Sequence, residues 1–394
     1  MINQGIWSWF YLFLVIVLPN LGLMKILIAP DKFKGSLTAM EVCNALQAGI
    51  HDIDSNIEVI KLPLADGGEG TLDLLEQSFN LKRIEVQVND PLMRPISTYY
   101  LSDRDTAYIE MAKASGLQLL NAEERNPLLT STYGTGEMIA NALDKGVKKI
   151  VLLIGGSATS EAGIGMAAAL GYHFKTINDL PFTPNAAALA SIEGMDFSRI
   201  HPRLNQVEFT VWSDVKNPLF GKNGAAFVYG PQKGASPDAV ERIDHGLRHL
   251  AKTLNNGFEM KEGAGAAGGL GYGAMTFLNA KLMSGIEAIL ALRDLDTHLA
   301  DVDLVITGEG KLDGQTLEGK VVSGVANGAK AKNIPLAICC GRKEEAELAL
   351  NNFNAISVLD IRSRTQNNQE AMQNAAFYLR QMGQELARNI KPNY

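Results

Sequence analysis

Residues 149–171 read KIVLLIGGSATSEAGIGMAAALG, and this stretch sets the class of fold. Ile150 to Ile154 form a short continuous apolar run rich in β-branched residues, the pattern of a strand buried on both faces. The run stops at Gly155-Gly156, and the small hydroxyl residues Ser157 and Thr159 follow. Beyond Glu161, the residues Ile164, Met166, Ala167, Ala168 and Leu170 fit a helix that Gly171 ends. A strand, a glycine turn with free N–H groups and a helix N-terminus together suit a phosphate, because unpaired amides and the helix dipole both favour an anion. Gly155, Gly156, Ser157 and Thr159 are therefore candidate phosphate ligands. An ordinary strand-to-helix turn in an α/β protein would use the same residues, so the stretch leaves that alternative open.

Working outward, a chain of 394 residues exceeds one compact core, and two domains are expected. The net charge of −7 is spread as mixed acidic and basic residues, whereas a nucleic-acid surface needs a basic patch. The three cysteines, Cys43, Cys339 and Cys340, have neither disulfide nor metal spacing. They read as reduced thiols of a cytoplasmic protein. The 38 glycines cluster in short motifs, which points to backbone that approaches a ligand closely.

The first 23 residues stand apart. Ile6 to Leu18 is almost wholly apolar, yet no Lys or Arg precedes Lys25, so a signal peptide lacks its positive region and a membrane span lacks its length. Met24 opens MKILIAPDK, the first strand of an α/β enzyme. The expectation is that residues 1–23 are an extension outside the fold, with a membrane anchor as the alternative.

Lys25 to Ala29 reads as a strand. The loop after it carries Lys32, Lys34 and Ser36, the last placed to cap a helix from Leu37 to about His51. Ligands of open α/β sheets bind at such carboxyl ends, although these lysines would also suit a plain solvated loop. Glu58 to Leu64 is a second strand, ending in Asp66-Gly67-Gly68-Glu69, where carboxylates can hold Mg²⁺ through its waters or simply favour a helix start. From Ile84 to Met111 the pattern alternates between close turn signals, which predicts antiparallel strands and a second domain. Val207 to Trp212 is a further strand leading to Asp214, and Lys222 and Lys233 sit among glycines in GKNGAAFVYGPQKG (221–234). Helix 237–254 holds His245 and His249 four residues apart, but without the glutamate of a zinc-protease helix a solvated face explains them better.

Two glycine motifs imitate nucleotide sites. Residues 263–268 match GxGxxG, but NNGFEMKE before them is no buried strand, so a dinucleotide site is not expected. Residues 314–320 imitate GxxxxGK, but Val321 stands where a P-loop needs Ser or Thr. Glu309, Asp313 and Lys320, following a strand at Asp303 to Thr307, remain ligand candidates. Alternating strands and helices to the end of the chain predict a parallel sheet.

Eight motifs in order resemble the bacterial type-1 glycerate kinases from Met24 onward: APDKFKGSLTA (29–39), LADGGEGT (64–71), RNPLLTSTYGTGE (125–137), GGSATSEAGIGM (155–166), SDVKNPLFG (213–221), YGPQKGA (229–235), GAGAAGGLGYG (263–273) and ITGEGKLDGQTLEGK (306–320). The resemblance implies phosphorylation of D-glycerate with ATP and Mg²⁺. It also implies a Rossmann-like α/β parallel-sheet domain (24–85 and 288–394) with a mixed α/β domain (86–287) inserted in it. Under that reading Asp214, Lys34 and Asp313 are the catalytic candidates and Asp66 and Glu309 the metal ligands. Lys32, Ser36, Gly155, Gly156, Ser157, Thr159, Lys233 and Lys320 bind substrate or phosphate. Asp214 from the inserted domain is expected to act as base, with Asp66, Glu309 and Asp313 serving the metal from the other domain and the lysine loop sharing a cleft with Gly155–Thr159. Ser160-Glu161-Ala162 replaces the family's usual Asn-Asp-Gly, which bears on substrate preference. The sequence leaves the product open between 2-phosphoglycerate, which is favoured, and 3-phosphoglycerate, with a catalytically idle binding protein on the same fold as the alternative function. Neither nucleic acid nor membrane is expected as a partner, and the sequence leaves the oligomeric state open.

Overall fold

The computed structural model describes residues 23–68, 70–177, 182–313, 321–344 and 351–390. The expectation for residues 1–23 falls almost wholly outside this range, as do Glu69 and Lys320. The described residues divide into two compact units. One takes those up to Pro63, those of 295–314 and those from Val325 on. The other takes those of 64–294 and of 315–324.

The first unit is built on a parallel sheet of β1 (Lys25–Ile28), β2 (Glu58–Lys61), β11 (Leu304–Leu312), β12 (Leu336–Lys343) and β13 (Ala355–Asp360), in the order β13-β12-β11-β1-β2. Continuous apolar runs such as KILI and LAICC suit strands covered on both faces. Helices Ala39–Ile53 and Ala375–Ile390 supply one cover, with Val42, Leu46 and Ile50 joining Leu379, Met382 and Leu386 in a single core. The first of these helices is capped by Thr38, whose hydroxyl accepts the Glu41 amide while Glu41 returns a bond to the Thr38 amide. Ser36 is therefore not the cap. Its hydroxyl donates to the carbonyl of Met372 instead. Strand β11 also runs further than its apolar core suggests. Pairing continues from Gly308 opposite Cys339 to Leu312 opposite Lys343, so Glu309 lies within the strand and not in a loop beyond it. That continuation requires glycine at 308, where a Cβ would meet the Cys339 carbonyl at 1.8 Å.

The second unit has a six-stranded mixed sheet in the order β10-β9-β6-β5-β4-β3. Its strands are β3 (Lys82–Asn89), β4 (Pro95–Ser102), β5 (Thr106–Glu110), β6 (Lys149–Leu153), β9 (Glu208–Trp212) and β10 (Lys281–Met283). The expected alternating segments form the antiparallel β3-β4-β5 edge, while β5, β6, β9 and β10 run parallel. A separate hairpin pairs β7 (His173–Thr176) with β8 (Ile192–Asp196). The expected boundary at 85/86 falls inside β3, all eight of whose residues pair with β4. Residues 64–85 accordingly belong with this unit, and Asp66 with them.

Candidate active site

One register row decides where chemistry can gather in the second unit. Glu110, Leu153, Trp212 and Met283 stand side by side across β5, β6, β9 and β10. Because these four strands are parallel, the segments following them all emerge at one carboxyl edge, where open α/β sheets place ligands. Glu110 itself, the turn Gly155–Thr159, Asp214 and Ser284-Gly285 share that edge.

The turn after β6 presents its backbone rather than its hydroxyls. Gly155 and Gly156 reach the surface, Gly156 with φ of 77°, whereas Ser157 and Thr159 are buried. Among the described residues the amides of Gly155, Gly156 and Ser157 donate no hydrogen bond, which leaves them available to an anion. The helix that follows, Ile164–Ala169, does not add its N-terminus to those amides. Glu161, fully buried, occupies that N-terminus, accepting the amides of Gly163 at 2.7 Å and Gly165 at 3.3 Å together with the amide and hydroxyl of Thr132. Burial pushes the Glu161 carboxyl above its usual range, and the Thr132 and glycine bonds oppose the shift. The expectation that strand, turn and helix start would receive the phosphate jointly is thus corrected, since the chain's own carboxylate takes the helix start.

Lys233 lies under the turn and not in it. It is 2% exposed, and its ammonium donates to Ser157 Oγ at 2.8 Å and to the Thr159 carbonyl at 2.6 Å. Burial brings its pKa down to about 7, with Glu161 pulling the other way. Lys233 therefore spends its ammonium on the turn itself, through Ser157 and Thr159.

Asp214, half-buried beyond β9, accepts Ser284 Oγ at 2.7 Å and the Gly285 amide at 3.0 Å on one oxygen, and the Ile286 amide at 3.3 Å on the other. It thereby adds acceptors to the start of helix Gly285–Leu292, whose N-cap is Ser284. Burial raises its pKa, and the neighbouring Asp66 raises it further against the lowering by Ser284. Asp66 approaches through its backbone: a Cβ on Gly285 would meet the Asp66 carbonyl at 2.5 Å, so this segment lies against the helix start. One Asp66 oxygen accepts the Gly68 amide at 3.0 Å. The two carboxylates thus belong to one unit and one edge, in place of the expected arrangement with Asp66 in the other domain. No group of three or more His, Cys, Asp or Glu among the described residues could hold a metal, so a cation here would take one or two carboxylates and complete its shell with water or substrate, which is the habit of Mg²⁺.

Glu110 escapes sequence reading. It ends β5 at 1% exposure, accepts the amides of Gly70 at 3.5 Å and Leu72 at 3.3 Å, and so ties the start of helix Thr71–Ser78 to the sheet. Burial raises its pKa, and Lys113 opposes the shift. The one sequence signal is a lone acid closing the apolar run TAYIE at a strand's carboxyl end.

In the first unit, the loop after β1 runs along the second half of β11. The Asp31 amide donates to the Gly308 carbonyl at 2.8 Å, and a Cβ on Gly310 would come within 3.3 Å of the Lys34 nitrogen. Lys34 is exposed and Lys32 half-buried beside the buried Glu309 strand segment. Asp313 pairs with Lys311 at 3.1 Å, and Lys311 also reaches Glu344 at 3.0 Å. Lys32, Lys34, Glu309 and Asp313 therefore group at the carboxyl edge of this unit's own sheet, while Ser36 turns away to Met372.

The GxGxxG segment and the two helical histidines have structural explanations, while residues 314–320 lie outside the described residues. In the GxGxxG segment a Cβ on Gly268, φ 70°, would meet the Thr159 carbonyl at 1.9 Å, so these glycines exist to pack against the turn segment. His245 is exposed, and the His249 ring bonds the Ile192 carbonyl at 2.7 Å. No helix among the described residues is long and apolar enough to cross a membrane.

A model of the glycerate kinase family matches residues 26–391. The chain is 40% identical over 374 residues to a glycerate kinase of Bacillus subtilis (strain 168), covering 93% of this chain and 98% of that protein. It is 42% identical over 319 residues to the glycerate 2-kinase of Escherichia coli (strain K12), covering 79% and 84%. Among solved structures, a protein assigned as glycerate kinase 2 from Salmonella typhimurium LT2 aligns with a TM-score of 0.79 at 39% identity, covering 94% of this chain and 98% of that one. The eight motifs, the mixed α/β architecture and these likenesses agree: the chain belongs to the glycerate kinase family.

Proposed function

We propose that this protein transfers the γ-phosphoryl group of ATP to D-glycerate, forming 2-phosphoglycerate and ADP. The observation that carries the reading is the register row Glu110–Leu153–Trp212–Met283, which brings an anion-accepting turn and a pair of carboxylates to one sheet edge. Phosphoryl transfer asks a protein chiefly for positioning and charge neutralisation. The free amides of Gly155, Gly156 and Ser157 suit the transferred phosphate. Asp214 suits the hydroxyl of glycerate, taking its proton as the new O–P bond forms and the bond to ADP breaks. Asp66 is the carboxylate we assign to Mg²⁺, which when bound would neutralise phosphate charge. Lys32 and Lys34, with Glu309 and Asp313, are assigned to an anionic ligand at the sheet edge of the first unit. The choice of the 2-hydroxyl is supported by the name of the Escherichia coli relative.

The test is ³¹P NMR of D-glycerate incubated with ATP, Mg²⁺ and the protein. A 2-phosphoglycerate resonance growing with ADP is expected. Growth of 3-phosphoglycerate alone would overturn the regiochemistry, and ADP formed at the same rate without glycerate would overturn the substrate.

A further inference from the structure

The turn at 155–159 is tethered from several segments. Leu117 donates its amide to the Gly156 carbonyl, Ala158 its amide to the Ser115 carbonyl, and Thr130 its hydroxyl to the Ala158 carbonyl, each at 2.9 Å. Lys233 is the only one of these tethers that binds two points, Ser157 Oγ and the Thr159 carbonyl, and the only one that carries a charge. The neighbouring hydroxyls give no help, because Thr159 Oγ1 and Ser160 Oγ are buried with no partner among the described residues. Burying an ammonium is costly, and a methionine of similar length would fill the same space with nothing to desolvate. The contribution of this side chain therefore lies in what it grips.

We infer that Lys233 is a positioning residue, which acts through Ser157 and Thr159 to hold the Gly155–Ser157 amides in convergence on the phosphate of ATP. This rests on the kinase reading above. It differs from the sequence expectation, in which Lys233 meets the phosphate directly. Lys233 approaches from the buried side, with Gly234 packed so closely on its neighbour that a Cβ there would meet the Arg125 carbonyl at 2.2 Å.

Steady-state kinetics of wild type, Lys233→Met, Ser157→Ala and the double variant, with thermal unfolding of each, test the inference. Lys233→Met is expected to raise the KM for ATP by about tenfold or more while the KM for glycerate moves less than about twofold, a split that a purely structural loss of active protein would not produce. The double variant is expected to lose no more than Lys233→Met alone, because both changes break the same contact. A folded Lys233→Met enzyme with an unchanged KM for ATP overturns the inference, as does a loss confined to kcat. If Lys233→Met fails to fold, Ser157→Ala decides: a raised KM for ATP supports the role and an unchanged one overturns it. Absence of glycerate-dependent turnover in the wild type overturns the kinase reading itself, and this inference with it.

Discussion

Asp66 stands beside Asp214, and Asp214 is already bound through both carboxylate oxygens to the start of helix Gly285–Leu292. The pair is therefore one fixed carboxylate and one with fewer ties, on a single edge. Asp66 helps to hold the Asp214 pKa up, after burial itself.

This relationship predicts a pH effect. A base works only when deprotonated, so the acid limb of the kcat/KM profile should report Asp214. In the metal-free protein, replacing Asp66 with Asn removes a like charge and lowers the Asp214 pKa. Carboxyl-resolved NMR titrations of the two metal-free proteins would show it, and an Asp214 pKa that stays put or rises would contradict the coupling of the two carboxylates.

Lys233 predicts a stability effect. Its folded-state pKa, about 7, lies below its ordinary 10.5, so between those values the unfolded chain binds the proton more tightly and unfolding free energy rises with pH. The slope can reach about 1.4 kcal/mol per pH unit, and below pH 7 the full cost of the buried charge is present. Glu161, held above its usual range, works in the opposite sense: stability falls as pH climbs from 4.5 through its folded-state value. Denaturant melts of wild type and Lys233→Met across the alkaline window should show the rise only in the wild type. Parallel curves would mean that the amine is charged throughout.

Gly268→Ala should be among the most damaging small changes in the second unit. The new methyl would stand 1.9 Å from the Thr159 carbonyl at a φ of 70°, combining overpacking of about 1–3 kcal/mol with left-handed strain of about 1–2 kcal/mol. A lowered melting temperature together with weakened ATP use is the expected outcome, and a variant as stable and active as wild type would contradict the packing described.

Lys34→Ala removes an exposed cation from the loop along β11. Loss of a charge-assisted bond to phosphate or carboxylate should weaken substrate use by about 1.5–3 kcal/mol, with the melting temperature unchanged. Kinetic constants equal to wild type would make this lysine part of a solvated loop.

The sequence carries the class of fold because apolar runs such as Ile150 to Ile154 can only be strands covered on both faces, and because Glu161 to Gly171 changes period at a glycine turn. It also carries the antiparallel edge, in the alternation of IEVQVND and ISTYYL. It does not carry which partner a polar group chooses. The sequence points to Ser36 as the cap, and the reciprocal bond with Glu41 selects Thr38 instead. Glu309 reads as a loop acid because its glycine neighbours look like a turn, whereas Gly308 lets β12 approach and Gly310 the loop after β1. Lys233 reads as a phosphate ligand and Glu161 as a change bearing on substrate preference, since burial of an ion depends on contacts from segments distant in sequence. Glu110 is one acid among many until the register row places it.

The most direct measurement of the central claim is glycerate-dependent ADP release by the Asp66→Asn/Asp214→Asn double variant beside wild type, with circular dichroism to establish that both are folded. If the carboxyl edge of the β5-β6-β9-β10 sheet carries phosphoryl transfer, wild type turns over and the double variant falls by at least about tenfold, some 1.4 kcal/mol of lost transition-state stabilisation. A folded double variant that releases ADP at the wild-type rate would contradict the account.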